Sequence, residues 1–319
     1  LVPDARHGDL GEILSVARCA LAPKRACAYH FGVRLTAPYL LGLLLLASAC
    51  ATAEGPNETV ATTTHALLRV DRSAQVGSES QATGVAFAGV VRVPELADPE
   101  LLLRLSGKGP TLPALGQCSA TGHERDALPT GDLGHAEFLA AGDVVLGTAE
   151  VETLLAPRAF PILPAEPLSG VVYTSRDRAS APPSGALYLL KTSGSEQLPG
   201  LELRVQAPEE LSDVTVGGVA FANLPAVDSS TEQVVSWRPG DARDIVYVEV
   251  TSASSSGSLG LCAFRDADGR GALPRGLFGA TGSGSLALHR LREVAADVPA
   301  LDGAEVRFDF ALTAEVAFR

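Results

Sequence analysis

Methionine is absent from this chain of 319 residues, and lysine nearly so: Lys24, Lys108 and Lys191 stand against 22 arginines. Aromatic residues make up 5 %, with a single Trp237. Carbohydrate-binding faces and base-stacking platforms lean on exposed aromatic rings, so both classes lose support. Basic charge is in deficit, with a formal net charge of −12, which argues against nucleic acid and anionic headgroups as direct ligands. No Cys-x-x-Cys pair or Cys/His cluster with zinc spacing occurs. No Gly-rich phosphate loop with a lysine occurs either, nor a dinucleotide fingerprint, and no cofactor is expected. After residue 50 no apolar stripe of helical period reaches a useful length.

One long apolar run is present. Residues 37–46 are mostly aliphatic, preceded by Arg34 and followed by Ala47-Ser48-Ala49-Cys50. A positive start, an apolar core and small residues at a cleavage point make an export signal. Ending in a cysteine, this segment resembles the lipobox of bacterial lipoproteins, with the Leu one place earlier than usual. The resemblance implies that residues 1–49 are a cleaved leader and that Cys50 is lipidated, in the manner of palmitate-bearing lipoproteins. The alternative is a retained anchor, since the uncharged stretch 35–53 approaches the roughly 20 residues a spanning helix needs. Asp4, Asp9 and Glu12 fit an export signal poorly. The composition suggests a GC-rich genome, in which Val33 is the expected translation start. Ala51 follows the cysteine where lipoproteins retained in the inner membrane of enteric bacteria carry Asp. By that analogy the expected location is the outer membrane, on the periplasmic or cell-surface face.

Beyond residue 49 lie 270 residues with 20 basic and 34 acidic groups, enough for one large domain or two. Residues 50–64 read as a lipidated polar tether. After it, short apolar segments alternate with Gly, Pro, Asp and Ser, the pattern of an all-β chain of sandwiches or barrels. Strands are expected near 66–70, 84–93, 101–105, 136–139, 144–146, 151–155, 170–174, 186–191 and 201–206. A second set is expected near 214–216, 233–238, 245–250, 259–264, 285–290, 305–312 and 314–318.

Ala207-Pro208-Glu209-Glu210-Leu211 is the expected domain boundary. Pro208, Val214-Thr215-Val216 and Val235-Ser236-Trp237-Arg238-Pro239 follow the entry proline, apolar strand and V-S-W-x-P of a fibronectin type III domain, which the last 110 or so residues resemble. Leu301-Asp302-Gly303-Ala304-Glu305-Val306 stands where that family often carries L-x-P-G-x-x-Y, without the Tyr. With the strand pattern of 65–206, two Ig/fibronectin-like β-sandwich domains are expected, 65–206 and 207–319, the resemblance covering only the second and implying Trp237 at its centre. The resemblance names no function.

Chemistry-bearing residues are sparse. Asp266-Ala267-Asp268-Gly269-Arg270-Gly271 resembles the first half of an EF-hand loop, but Arg270 and Leu277 occupy ligand places. Asp266 and Asp268 are thus weak metal candidates, and a hairpin loop is the plainer reading. His123, Glu124 and His135 lack the tight pairing of a zinc site and read as solvated loop. His289 reads as an outward-facing strand residue. Gly282-Ser283-Gly284-Ser285 reads as loop, without the helix a nucleophile elbow requires. No catalytic residue is assigned. Cys118 and Cys262 remain once Cys50 is lipidated. They lie in different expected domains, and a disulfide needs Cα atoms within ~7 Å. Two separately buried thiols are expected, with a Cys118–Cys262 disulfide as the alternative.

The expected function is a lipid-anchored envelope protein that binds or braces without catalysis. Its partners would be the membrane, through the anchor, and an envelope protein or polysaccharide. The alternative is an extracytoplasmic hydrolase with a loop-built active site.

Overall fold

The computed structural model describes residues 61–76, 82–94, 109–119, 136–160, 168–175, 183–253, 258–278 and 281–319. The leader, Cys50, the strand expected at 101–105, and His123, Glu124 and His135 lie outside the described residues. The described chain is all-β, with three short 3-10 turns (the first at Phe221–Asn223) and no α-helix.

The strands are β1 (Thr62–Gln75), β2 (Thr83–Pro94), β3 (Gln117–Ser119), β4 (Ala136–Phe138), β5 (Val144–Gly147), β6 (Glu152–Phe160), β7 (Leu168–Thr174), β8 (Leu187–Thr192) and β9 (Glu202–Gln206). After residue 210 come β10 (Thr215–Val216), β11 (Val219–Ala220), β12 (Ala226–Val227), β13 (Gln233–Ser236), β14 (Ile245–Ser252), β15 (Ser258–Arg265), β16 (Arg270–Leu273), β17 (Gly282–Ala296) and β18 (Gly303–Phe318). β1 begins at Thr62, so the expected tether ends earlier than residue 64. Gly282-Ser283-Gly284-Ser285 opens β17 and is not a loop. Gly284 permits this, because a Cβ there would lie 2.1 Å from the Thr251 carbonyl oxygen on the neighbouring strand.

β17 and β18 run 15 and 16 residues, against a usual 5–6. They pair antiparallel along their whole length, from Gly282↔Phe318 to Ala296↔Ala304. β18 also pairs in parallel with β1, Leu68 opposite Val306 and Val70 opposite Phe308. Strands from both expected domains therefore join one hydrogen-bonded path, β3-β15-β14-β17-β18-β1-β2-β4-β7-β6-β5-β8-β9. A four-stranded sheet, β11-β10-β13-β16, stands apart from it.

The two largest apolar cores form against this path. Val216, Val235 and Leu273 of the small sheet face Val248, Leu288 and Val316 of the large one, with Trp237 among them. The second core joins Leu68, Val70, Val90, Val306 and Phe308 to Val144, Leu155, Tyr188 and Val205. β6 supplies its second layer by changing partners: Glu152–Leu155 pair with β5, Ala156–Phe160 with β7. Successive side chains of a strand alternate faces. The even-numbered residues of β18 thus serve both cores, Val306, Phe308 and Phe310 in one, Ala314, Val316 and Phe318 in the other.

On the same face of β17 the order is Leu286, Leu288, Arg290, Arg292, Val294. The arginines fall where one core gives way to the other. Arg290 Nη1 donates to the Glu209 and Glu210 carbonyls, and its Nη2 to Asp266 Oδ1 at 2.9 Å. Arg292 grips Asp244 through Nε and Nη2 and donates to the Gln206 carbonyl. The core does change near 207–211, but the boundary is not an exposed linker. Ala207, Pro208 and Leu211 are buried, and the carbonyls between them are held by β17. Residues 59–319 make one compact unit, in which the two cores share β17 and β18.

Candidate functional site

The face of the large sheet opposite the cores carries the odd-numbered residues of β18. Arg307, Asp309, Ala311 and Thr313 lie there, flanked by His289 and Ala287 of β17 and by Arg69 and Asp71 of β1. Tyr247 and Glu249 of β14 come next, opposite His289 and Ala287. Ala287 and Ala311 keep the floor low, and a groove of about 380 Å³ opens over it, with Glu249 and Thr251 on one side and Asp71 and Thr83 on the other.

Asp309 organises this face. Its Oδ2 accepts the Tyr247 hydroxyl at 2.5 Å, and its Oδ1 lies 2.8 Å from His289 Nδ1. A carboxylate that accepts a phenol proton can only accept from the imidazole too, so Nδ1 carries its hydrogen. The Tyr247 and His289 rings stack at 4.2 Å with 13° between planes. His289 Nε2 has no hydrogen-bond partner and lies 4.0 Å from Glu249 Oε2. Arg307 donates to Glu293 Oε1 at 2.9 Å, and its Nη2 lies 3.8 Å from Asp309 Oδ2.

Burial alone would raise the Asp309 carboxyl. The charge and hydrogen bond of His289, the Tyr247 hydroxyl and Arg307 outweigh it and hold the group below its ordinary value. Burial, then the Asp309 charge, pushes Tyr247 well above the usual phenol range. Burial also raises Asp71, against the pull of its partner Arg69.

An aspartate orienting a histidine is half of a hydrolytic triad. Among the described residues no hydroxyl hydrogen-bonds His289 Nε2. Ser285 precedes His289 by four residues on one strand, about 13 Å at strand rise, far beyond the ~3 Å reach of a nucleophile–base pair. Its hydroxyl is instead bonded to Thr251 Oγ1 at 2.5 Å.

His289 lies on a strand and faces away from the cores. It lines the groove with its side chain 15 % exposed, held by Asp309. Asp266 faces inward, its oxygens taken by Arg290, Trp237 Nε1 and the Gly240 amide, while Asp268 is exposed on the same turn. In the half-EF-hand segment the first carboxylate is already paired with a buried arginine. Among the described residues no three His, Cys, Asp or Glu side chains are arranged to hold a metal ion. Cys118 and Cys262 are disulfide-bonded, directly opposite each other on β3 and β15 with Cα atoms 4.0 Å apart. The expected separate thiols gave way because β3, three residues long, leaves its own region to pair with β15.

Tyr247, Asp309, Arg307 and Glu249 were not singled out from sequence. The signal was Arg307-Phe308-Asp309-Phe310, where period-two alternation puts two charges on one face and two rings on the other.

No protein-family model and no curated protein matches the chain. Among solved structures, the zebrafish (Danio rerio) Fcho1 Mu homology domain with bound Eps15 peptide aligns over 81 % of this chain and 97 % of its own, at 8 % identity and a TM-score of 0.23.

Proposed function

We propose that this protein is an exported, lipid-anchored envelope module that binds a partner through its charged groove without catalysis. The carrying observation is the Cys118–Cys262 bond between β3 and β15. A disulfide between adjacent strands belongs in an oxidising compartment, which agrees with the lipobox-like segment ending at Cys50. The groove supports binding over chemistry, since among the described residues no hydroxyl hydrogen-bonds His289 Nε2. The anchor faces the periplasm or the cell surface from the outer membrane, and the partner is an envelope protein or polysaccharide. The packing of β10, β13 and β16 over β14, β17 and β18 around Trp237 supports an Ig/fibronectin-like sandwich for the C-terminal core.

Expression in a bacterium tests the anchor. Acyl mass on residue 50, membrane partition and their loss in Cys50→Ser are expected; an unmodified Cys50 overturns it. The unpartnered Nε2 of His289 favours one second reading, an extracytoplasmic hydrolase. Hydrolysis of ester or glycoside substrates by the wild type, lost in His289→Ala, would replace the binding reading.

A further inference from the structure

We propose that residues 109–119 form a strap across the charged face of the sheet, latched by Cys118–Cys262, and that thiol–disulfide exchange at this bond opens it. The path of the strap carries the argument. Cys118 is bonded to β15, and the Gly116 amide donates to the Ala263 carbonyl at 2.7 Å. Leu112 packs on Tyr247, Leu261, Ala263 and Leu291. Gly109 reaches β18, where a Cβ would stand 2.7 Å from Arg307 Nη2. In ten residues the strap crosses from β15 over β14 and β17 to β18. It covers Arg307, whose side chain is 2 % exposed although its Nε and Nη2 have no hydrogen-bond partner.

Among the described residues, the ties besides the disulfide are few. The ladder to β15 pairs only Gln117, Cys118 and Ser119. Thr111, Ala114, Leu115, Gly116 and Gln117 are exposed, so Leu112 is the main apolar grip. The latch is also accessible from one side, because Cys118 is half-buried and Cys262 fully buried.

A dithiol reductant supplies the two electrons. Its thiolate attacks the Cys118 sulfur, a mixed disulfide forms there, and Cys262 leaves as a thiolate that takes up a proton. The second thiol of the reductant closes on the mixed disulfide, releases Cys118 as a thiol, and leaves the reductant as its cyclic disulfide. The strap is then free to lift from Leu291 and Arg307. None of this depends on what the groove binds.

The test uses the full chain with and without dithiothreitol, read by amide hydrogen exchange and by labelling with an arginine-directed dicarbonyl. On reduction, amides 116–119 should exchange about tenfold faster or more, and Arg307 should become reactive, while β14, β17 and β18 keep their protection. Cys118→Ser with Cys262→Ser should behave as reduced wild type without reductant. Unchanged strap protection after reduction overturns the proposal. So do simultaneous loss of protection in every strand, which makes the bond a global staple, and two reactive thiols at 118 and 262 in untreated protein.

Discussion

Asp309 accepts from Tyr247 and His289 while nearly buried, so its ionised form is favoured in the fold and its pKa lies below the ordinary value. The sign follows by linkage. A carboxyl with a depressed folded value contributes stability above its unfolded pKa, about 3.9, and loses that contribution as pH falls through the folded value. Asp71, raised by burial, works oppositely, its contribution fading as pH rises through its folded value. Asp309→Asn should therefore weaken the fold at pH 7 and flatten the decline of stability below about pH 4 relative to wild type. Urea midpoints across pH 2–7 in both proteins check this, and parallel curves would refute it. Asp266 gives a second residue-scale contrast. Its loss strands Arg290 in the interior, and breaking a buried pair costs about 3–5 kcal/mol. Asp268, two residues away and exposed, should cost within about 0.5 kcal/mol as Asp268→Ala. Denaturant titration of the two alanine variants separates a structural Asp266 from a loop carboxylate.

At the scale of the element, β17 and β18 decide the architecture. Most strands were legible, because Gly/Pro/Asp punctuation and alternation mark them: β2, β4, β5, β9 and β14 fall within one or two residues of their expected bounds. The continuity of β18 was not. Ala311-Leu312-Thr313-Ala314 weakens the apolar signal without breaking the alternation, so one strand reads as two. β3 and β16 were missed for a different reason. Neither has enough apolar residues to stand out, and each exists by pairing with a distant strand. The charged face was illegible because it joins residues from β1, β14, β17 and β18, which only the pairing brings together. The start of β17 offers a direct check. Gly284 lies against the Thr251 carbonyl, so Gly284→Ala must push β17 from β14 at the cost of an overpacked site, about 1–3 kcal/mol. Faster exchange of the amides of residues 251–252 and 284–286 should accompany that loss. A variant as stable as wild type would mean the strands are less tightly joined there.

For the whole molecule, the two cores are separate in sequence and joined in structure. The first draws on residues 211–318, the second on residues 68–207 plus Val306, Phe308 and Phe310 of β18. A chain of residues 207–319 alone would expose those three side chains, and burying one such phenylalanine is worth about 1.5–3 kcal/mol. It would also leave Arg292 without the Gln206 carbonyl and β18 without its parallel neighbour β1. A chain ending at residue 206 would lack the central strand of its own sheet. Neither half carries both cores, and the strands they share lie in one half only, so stability should not partition between them as it does between domains linked by a flexible segment. The described unit should unfold in one cooperative transition, with Trp237 fluorescence and far-ultraviolet circular dichroism changing together. Limited proteolysis should spare residues 206–212, whose backbone is gripped by Arg290 and Arg292. Phe308→Ala should lower the single midpoint, costing about 3–5 kcal/mol, although Trp237 sits in the other core. Two separated transitions, or a 207–319 fragment that folds alone with a buried Trp237, would show that the shared strands do not couple the cores.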